Sequence, residues 1–266
     1  MRSEMLVRGV LLGAVLLMPM QLSAGESVAD AYESRTVTVT ERGEPVEFRY
    51  RLLRPATIEP ATTYPVVLFL HGAGERGNDN ERQLQYFPTW MAEPSLRSRH
   101  PCFLVAPQCR EERGWSGFDW QTMKAAALPE APTTDAAAAI AALEAVLASE
   151  PAAARDRLYL TGLSMGGYGT WDLAARSPGT FAAILPICGG GDEASAARVA
   201  ALPTWCFHGE SDSVVPVGLS RSMIAAIKAA GGTPVYSELE GIGHDSWTPA
   251  YRNPAVLDWL FAQRRR

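Results

Sequence analysis

A serine hydroxyl becomes a useful nucleophile when a base takes its proton and a third group orients that base. The stretch Arg157-Leu-Tyr-Leu-Thr-Gly-Leu-Ser-Met-Gly-Gly-Tyr-Gly-Thr-Trp171 places Ser164 at the centre of G-x-S-x-G. Leu158 to Leu160 before it have strand composition, and Tyr168 to Arg176 after it have the pattern of a helix. Strand, sharp turn and helix with a serine at the apex form a nucleophile elbow. The five-residue pattern alone also describes ordinary Gly-rich turns; the flanking strand and helix decide for the chemical reading. Gly162 and Gly166 suit a strained turn that neighbouring backbone crowds. The helix aims free N–H groups and a partial positive charge at Ser164.

The partners of Ser164 follow from chain order, which after such an elbow runs Ser, then Asp or Glu, then His. The chain has four histidines, at 71, 100, 208 and 244. His71 and His100 precede the serine. His208 ends a strand-like run and is expected to be structural, with one fixed hydrogen bond. His244 lies in Gly241-Ile-Gly-His-Asp-Ser-Trp247, between the last strand and the last helix, and is the expected base. For the orienting acid, His208-Gly-Glu-Ser-Asp-Ser-Val-Val-Pro216 offers Asp212, with Glu210 in reserve. Asp245 is too close to His244 to orient it from across the sheet, and Asp192 is at most a helix cap. Two backbone N–H groups are needed for the oxyanion, each worth about 3 kcal/mol in the transition state. Met165, after the nucleophile, is one. Ala73, in the loop after Pro65-Val-Val-Leu-Phe-Leu70, is the other, with Gly74 in reserve.

The elements that must hold these residues alternate along the chain. Thr36–Thr40 and Val46–Leu53 form a hairpin by their period-two pattern, and Pro65–Leu70 is apolar throughout, as a strand buried on both faces is. Strands follow at Cys102–Pro107, at 158–160, at Phe181–Ile187, at Thr204–Phe207 and at Val235–Leu239. Helices are expected at Thr133–Ser149 (burying Ile140, Leu143 and Leu147), after the elbow, at Leu219–Ala230 and at Ala255–Phe261. Eight strands with helices between the later ones describe an α/β domain with a mostly parallel sheet. The long connections 72–99 and 110–132 follow strands, so they wall the carboxyl edge, where ligands bind.

Residues 1–25 stand apart: Arg2 and Arg8, then apolar Val10 to Met18, then Ser23-Ala-Gly25. That order is a secretory signal peptide, its run shorter than the roughly 20 residues of a membrane span. Secretion or export to a periplasm is therefore expected, with no stable membrane insertion after the signal is removed and residues 26–266 as one catalytic domain. In an oxidising compartment Cys102, Cys109, Cys188 and Cys206 could pair. Cys102 and Cys109 flank a strand and lie roughly 23 Å apart along it, too far to pair, while Cys109 and Cys188 both sit just past strands on the same sheet edge and are the best candidate pair. A net charge of −5 without a basic cluster argues against nucleic acid. The scattered histidines and the lack of H-E-x-x-H or C-x-x-C give no metal site, and no cofactor is expected. Gly72-Ala-Gly-Glu-Arg-Gly77 spells the dinucleotide fingerprint. However, polar Asn78-Asp-Asn80 follows instead of a helix, and no acid ends the next strand for a ribose.

Several motifs together carry a family likeness. They are Phe69-Leu-His-Gly-Ala-Gly-Glu-Arg-Gly, Val105-Ala-Pro-Gln-Cys109, the elbow, Pro186-Ile-Cys-Gly-Gly-Gly191, Phe207-His-Gly through Asp212, and Gly243-His-Asp-Ser-Trp247. Over about residues 35–263 the chain resembles the α/β-hydrolase superfamily. Within it, the chain is similar to the bacterial phospholipase/carboxylesterase-like group of dienelactone-hydrolase and polyhydroxybutyrate-depolymerase-type esterases. The resemblance implies an α/β-hydrolase fold with helices on both faces and a serine esterase acting on carboxylic esters, without metal or cofactor. The short connections between the later strands and their helices leave no room for a large cap domain, so an open cleft for short-acyl small-molecule or polysaccharide-linked esters is expected. A prolyl-oligopeptidase-like peptidase and a non-catalytic binding protein are the rival readings. The segment Trp115-Ser-Gly-Phe-Asp-Trp120 is expected near the pocket, where it either binds an acyl group or packs a loop. Neutral His244 as base predicts activity falling as pH drops through roughly 6.5.

Overall fold

The computed structural model describes residues 27–117 and 127–265. Residues 1–25, read as a signal, lie outside the described residues, as do Phe118 to Trp120 of the aromatic segment. The eight strands are β1 (Glu33–Glu41), β2 (Glu44–Leu53), β3 (Tyr64–Leu70), β4 (Phe103–Pro107), β5 (Ala153–Leu163), β6 (Ala183–Ile187), β7 (Trp205–Gly209) and β8 (Val235–Leu239). They form one sheet in the order β1-β2-β4-β3-β5-β6-β7-β8. The hairpin turns on Arg42 and Gly43, both at positive φ, which matches the strands' own twist. β2 pairs antiparallel with β4; every pair from β4 to β8 is parallel.

The helices are α1 (Phe87–Ala92), α2 (Pro94–Arg99), α3 (Thr134–Ser149), α4 (Met165–Arg176), α5 (Ala196–Val199), α6 (Gly218–Ala229), α7 (Trp247–Tyr251) and α8 (Pro254–Ala262). Alternate residues of the central strands point to opposite faces. Val66, Leu68, Val105 and Leu160 pack with α3, α4 and α6, while Val67, Phe69, Leu104 and Tyr159 pack with α1, α7 and α8. Both faces of the central strands are thus dry, which accounts for their unbroken apolar runs. Thr133 caps α3 by accepting from the Ala136 N–H. The buried stripe of α3 differs from expectation: it is Ala136, Ala139, Ala142, Leu143, Val146 and Leu147, and Ile140 is half-buried. Alanines let this helix lie close to the sheet, so the stripe is set by small residues that a search for bulky ones passes over.

Two further expectations are corrected. The connection 72–99 is folded into two 3-10 turns and the helices α1 and α2 rather than extended loop. All four cysteines are buried and free. Cys109 ends β4 and Cys188 ends β6, with β3 and β5 between them. Three strand spacings are about 14 Å, twice the reach of a disulfide. Among the described residues no helix is long and apolar enough to cross a membrane.

Candidate active site

The carboxyl edge of the sheet gathers the chemistry. β5 runs into Ser164, whose backbone (φ 52°, ψ −116°) is one that side chains seldom adopt. The turn survives because glycine flanks it: a Cβ at 166 would be driven into the Leu70 carbonyl, and one at 162 into Gly166 itself. The Ser164 N–H is tied to the Ile187 carbonyl at 2.9 Å, which anchors the apex to β6. Strain and anchoring together hold the hydroxyl clear of the sheet at the start of α4.

His244 and Asp212 meet it from the loops after β8 and β7. His244 Nε2 lies 3.0 Å from Ser164 Oγ, and its Nδ1 lies 2.7 Å from Asp212 Oδ2. With Nδ1–H donating to the carboxylate, the bare Nε2 is left to accept from the serine. The Asp212 side chain has no exposed surface. Burial alone would raise its pKa. Hydrogen bonds from His208, His244 and the Val215 and Val214 N–H groups prevail and hold it well below the usual carboxylate range. Glu210, the reserve acid, is exposed and accepts from the Gly241 N–H, so it braces the histidine loop instead. Asp192 caps a 3-10 turn through the Ala194 N–H.

His208 does more than its sequence position announces. Its Nε2 approaches both Asp212 Oδ2 (3.2 Å) and the Val215 carbonyl (3.0 Å), and its Nδ1 contacts Ser220 Oγ at 2.7 Å. A second, fully buried imidazole therefore steadies the acid that steadies His244. His71, excluded as a base, ties two loops together: Nδ1–H donates to the Gly72 carbonyl and Nε2 accepts the Cys109 N–H. His100 stacks on Phe261, remote from Ser164.

The two expected oxyanion donors stand at element starts. Met165 opens α4, and Ala73 opens a 3-10 turn after β3. Neither N–H is engaged by a hydrogen bond among the described residues. The turn Ala73–Glu75 also disposes of the dinucleotide fingerprint, because no long helix begins there. Trp115 is buried, with its indole N–H on the His71 carbonyl and its ring beside Gly169, so it packs the loop. On the other flank, Tyr86 holds a positive φ and rests on Trp247, whose ring meets His244 edge-on at 5.2 Å. Pattern reading missed Tyr86; only its strained backbone marks it. Among the described residues, Cys188, Asp212 and His244 bring three metal-ligating atoms within 4.8 Å. The Asp212 carboxylate is already filled by hydrogen bonds, and burial pushes the Cys188 thiol far up, which disfavours the thiolate a cation would need.

Comparison with known proteins agrees with this layout. The crystal structure of a thermostable esterase superposes with a TM-score of 0.80 at 39% identity, over 90% of this chain and 64% of that one. An acylaminoacyl peptidase of Pyrococcus horikoshii shares the fold at 16% identity and a TM-score of 0.62, over 89% of this chain and 42% of the peptidase. The chain thus spans less than two thirds of either structure. A probable inactive carboxylesterase of Oryza sativa subsp. japonica is 27% identical over 207 residues, 70% of this chain and 82% of the rice protein. The model of the phospholipase/carboxylesterase family matches residues 55–252. With that match spanning most of an eight-stranded α/β sheet and its serine elbow, the chain belongs to the phospholipase/carboxylesterase family of α/β hydrolases.

Proposed function

We propose that this chain is a serine esterase in which Ser164 is the nucleophile, His244 the general base and acid, and Asp212 the orienting carboxylate. The observation that carries the reading is the unbroken contact line from Ser164 Oγ through His244 to Asp212. In the first half-reaction His244 Nε2 takes the serine proton as Oγ bonds to the ester carbonyl carbon. The oxyanion formed is held by the N–H groups of Met165 and Ala73. Collapse breaks the bond to the alcohol oxygen, which leaves with the proton from His244, and an acyl-serine remains. Water then gives a proton to His244 and attacks the acyl carbon; the carboxylic acid departs and Ser164 regains its proton.

Short acyl esters, or acyl groups linked to a polysaccharide, suit a cleft walled by 72–99 and the described parts of the connection after β4, 110–117 and 127–132, with no cap domain among the described residues. Export by way of residues 1–25 belongs to the same reading. A fluorophosphonate probe should label wild type at Ser164 and leave Ser164→Ala unlabelled, with loss of p-nitrophenyl butyrate hydrolysis in the variant. Full turnover by Ser164→Ala refutes the proposal, and an unlabelled folded wild type favours a binding protein instead. Peptide amide turnover that matches ester turnover would move the assignment to a peptidase.

A further inference from the structure

Beside the elbow, on the β4 side, a cavity of about 890 Å³ opens between the β1–β2 turn and the loop after β4. Ala73, the expected oxyanion donor, lines it together with Arg76. Arg76 is half-buried, and its Nε–H rests on the sulfur of Met165 at 3.2 Å, which fixes the guanidinium against the residue next to Ser164. Among the described residues its two terminal nitrogens make no hydrogen bond and no ion pair. Most other part-buried arginines here do have carboxylates. Arg110, in the same cavity, holds Glu41 and Asp135, and Arg35 holds Glu33 and Glu150. Glu75 next in the chain is buried, its carboxyl pushed up by burial, and it forms no ion pair with Arg76.

The cavity's charge therefore does not cancel. Its lining sets Arg42, Arg76, Arg110 and Arg113 against Glu41, Glu112 and Asp135, a net of one positive charge, and Arg110 is the arginine that holds Glu41 and Asp135. A part-buried guanidinium with a free fork matches a carboxylate in geometry as well as charge. Ala73, the proposed oxyanion donor, and Arg76 line the same cavity, so an acyl chain that leaves the ester carbonyl beside Ala73 enters the space that holds Arg76.

We propose that Arg76 is the anchor of an acyl subsite for esters whose acyl chain ends in a carboxylate, the half-esters of dicarboxylic acids. The inference rests on the serine-esterase reading and names its substrate class. The test compares p-nitrophenyl hydrogen adipate with p-nitrophenyl hexanoate, which match in length and differ by one terminal carboxylate. Wild type should favour the half-ester in kcat/KM. Arg76→Gln should lower that preference by about 10- to 100-fold, mainly through KM, as expected for losing hydrogen bonds to a charged group. Because the preference is a ratio of two esters, disturbance of the oxyanion loop that affects both alike cancels. A wild-type ratio near unity, or one that Arg76→Gln leaves unmoved, overturns the subsite. A second measurement needs no turnover: calorimetric titration of the Ser164→Ala protein with methyl hydrogen adipate, with and without Arg76→Gln. Binding that depends on Arg76 supports the proposal; binding indifferent to it, or no binding at millimolar ligand, overturns it. Failure of the esterase reading looks different: either wild type hydrolyses neither ester, or Ser164→Ala still hydrolyses the neutral hexanoate.

Discussion

His71 shows how one buried side chain can tie stability to pH. Its two ring nitrogens are matched to a donor role and an acceptor role, so only the neutral ring fits. Burial dominates its environment and lowers its pKa to about 4, with Arg76 pushing the same way against the Gly72 carbonyl. Between pH 4 and about 6.5 the unfolded chain therefore binds a proton that the folded chain refuses. Stability falls as pH drops through that window, by about 3 kcal/mol from this group alone. Urea unfolding at pH 7 and pH 4.5 should reveal the loss, and His71→Gln, which keeps an acceptor for Cys109, should flatten it. Equal slopes in the two proteins would remove His71 from the account. Asp212 acts with the same sign in a lower window: its depressed pKa keeps it ionised in mild acid, and its stabilising effect is lost as pH falls below the ordinary carboxylate range toward that low value. Any change near neutrality is therefore not the protonation of Asp212.

Among the elements, α3 and α4 are the ones whose placement depends on small residues. Ala139 and Ala142 of α3 are fully buried, and helix and sheet approach over them without room for a longer side chain. Ala139→Leu should cost about 1–3 kcal/mol through overpacking, read as a lower urea midpoint. An unchanged midpoint would mean that the contact relaxes freely. In α4 the same closeness has a chemical purpose. Gly166 and Gly162 let Leu70 and the helix start touch, which brings the loop after β3, with Ala73, up to Ser164. The turn at Ser164 and the loop after β3 are thus one packed unit, and β3 and β5 are neighbours along six register pairs.

Across the whole molecule the core is two dry layers on one sheet, and the four thiols lie inside it. Burial raises the pKa of each, so none is poised to react. In the folded protein a thiol reagent should find none of them, and after denaturation without reductant it should find all four. A count of two after denaturation would demonstrate a disulfide and overturn the free-cysteine description. Stability of this domain therefore rests on packing rather than on covalent closure, which a chain of 266 residues can support.

The sequence by itself determined what depends on neighbours along the chain. The turn at Ser164 and the eight strands were legible because turn chemistry, apolar period and motif spacing act over a few residues. It also placed Asp212 and His244 after β7 and β8, at the edge where the structure brings them to Ser164. Only the tertiary structure decided what depends on the lateral order of strands. That order keeps Cys109 and Cys188 apart and sets Tyr86 against Trp247. It likewise brings Arg76 to Met165, 89 residues further on. Crossover helices hide lateral order from any local window, so which charge finds a partner, and which is left facing a cavity, emerges only when the sheet closes its register.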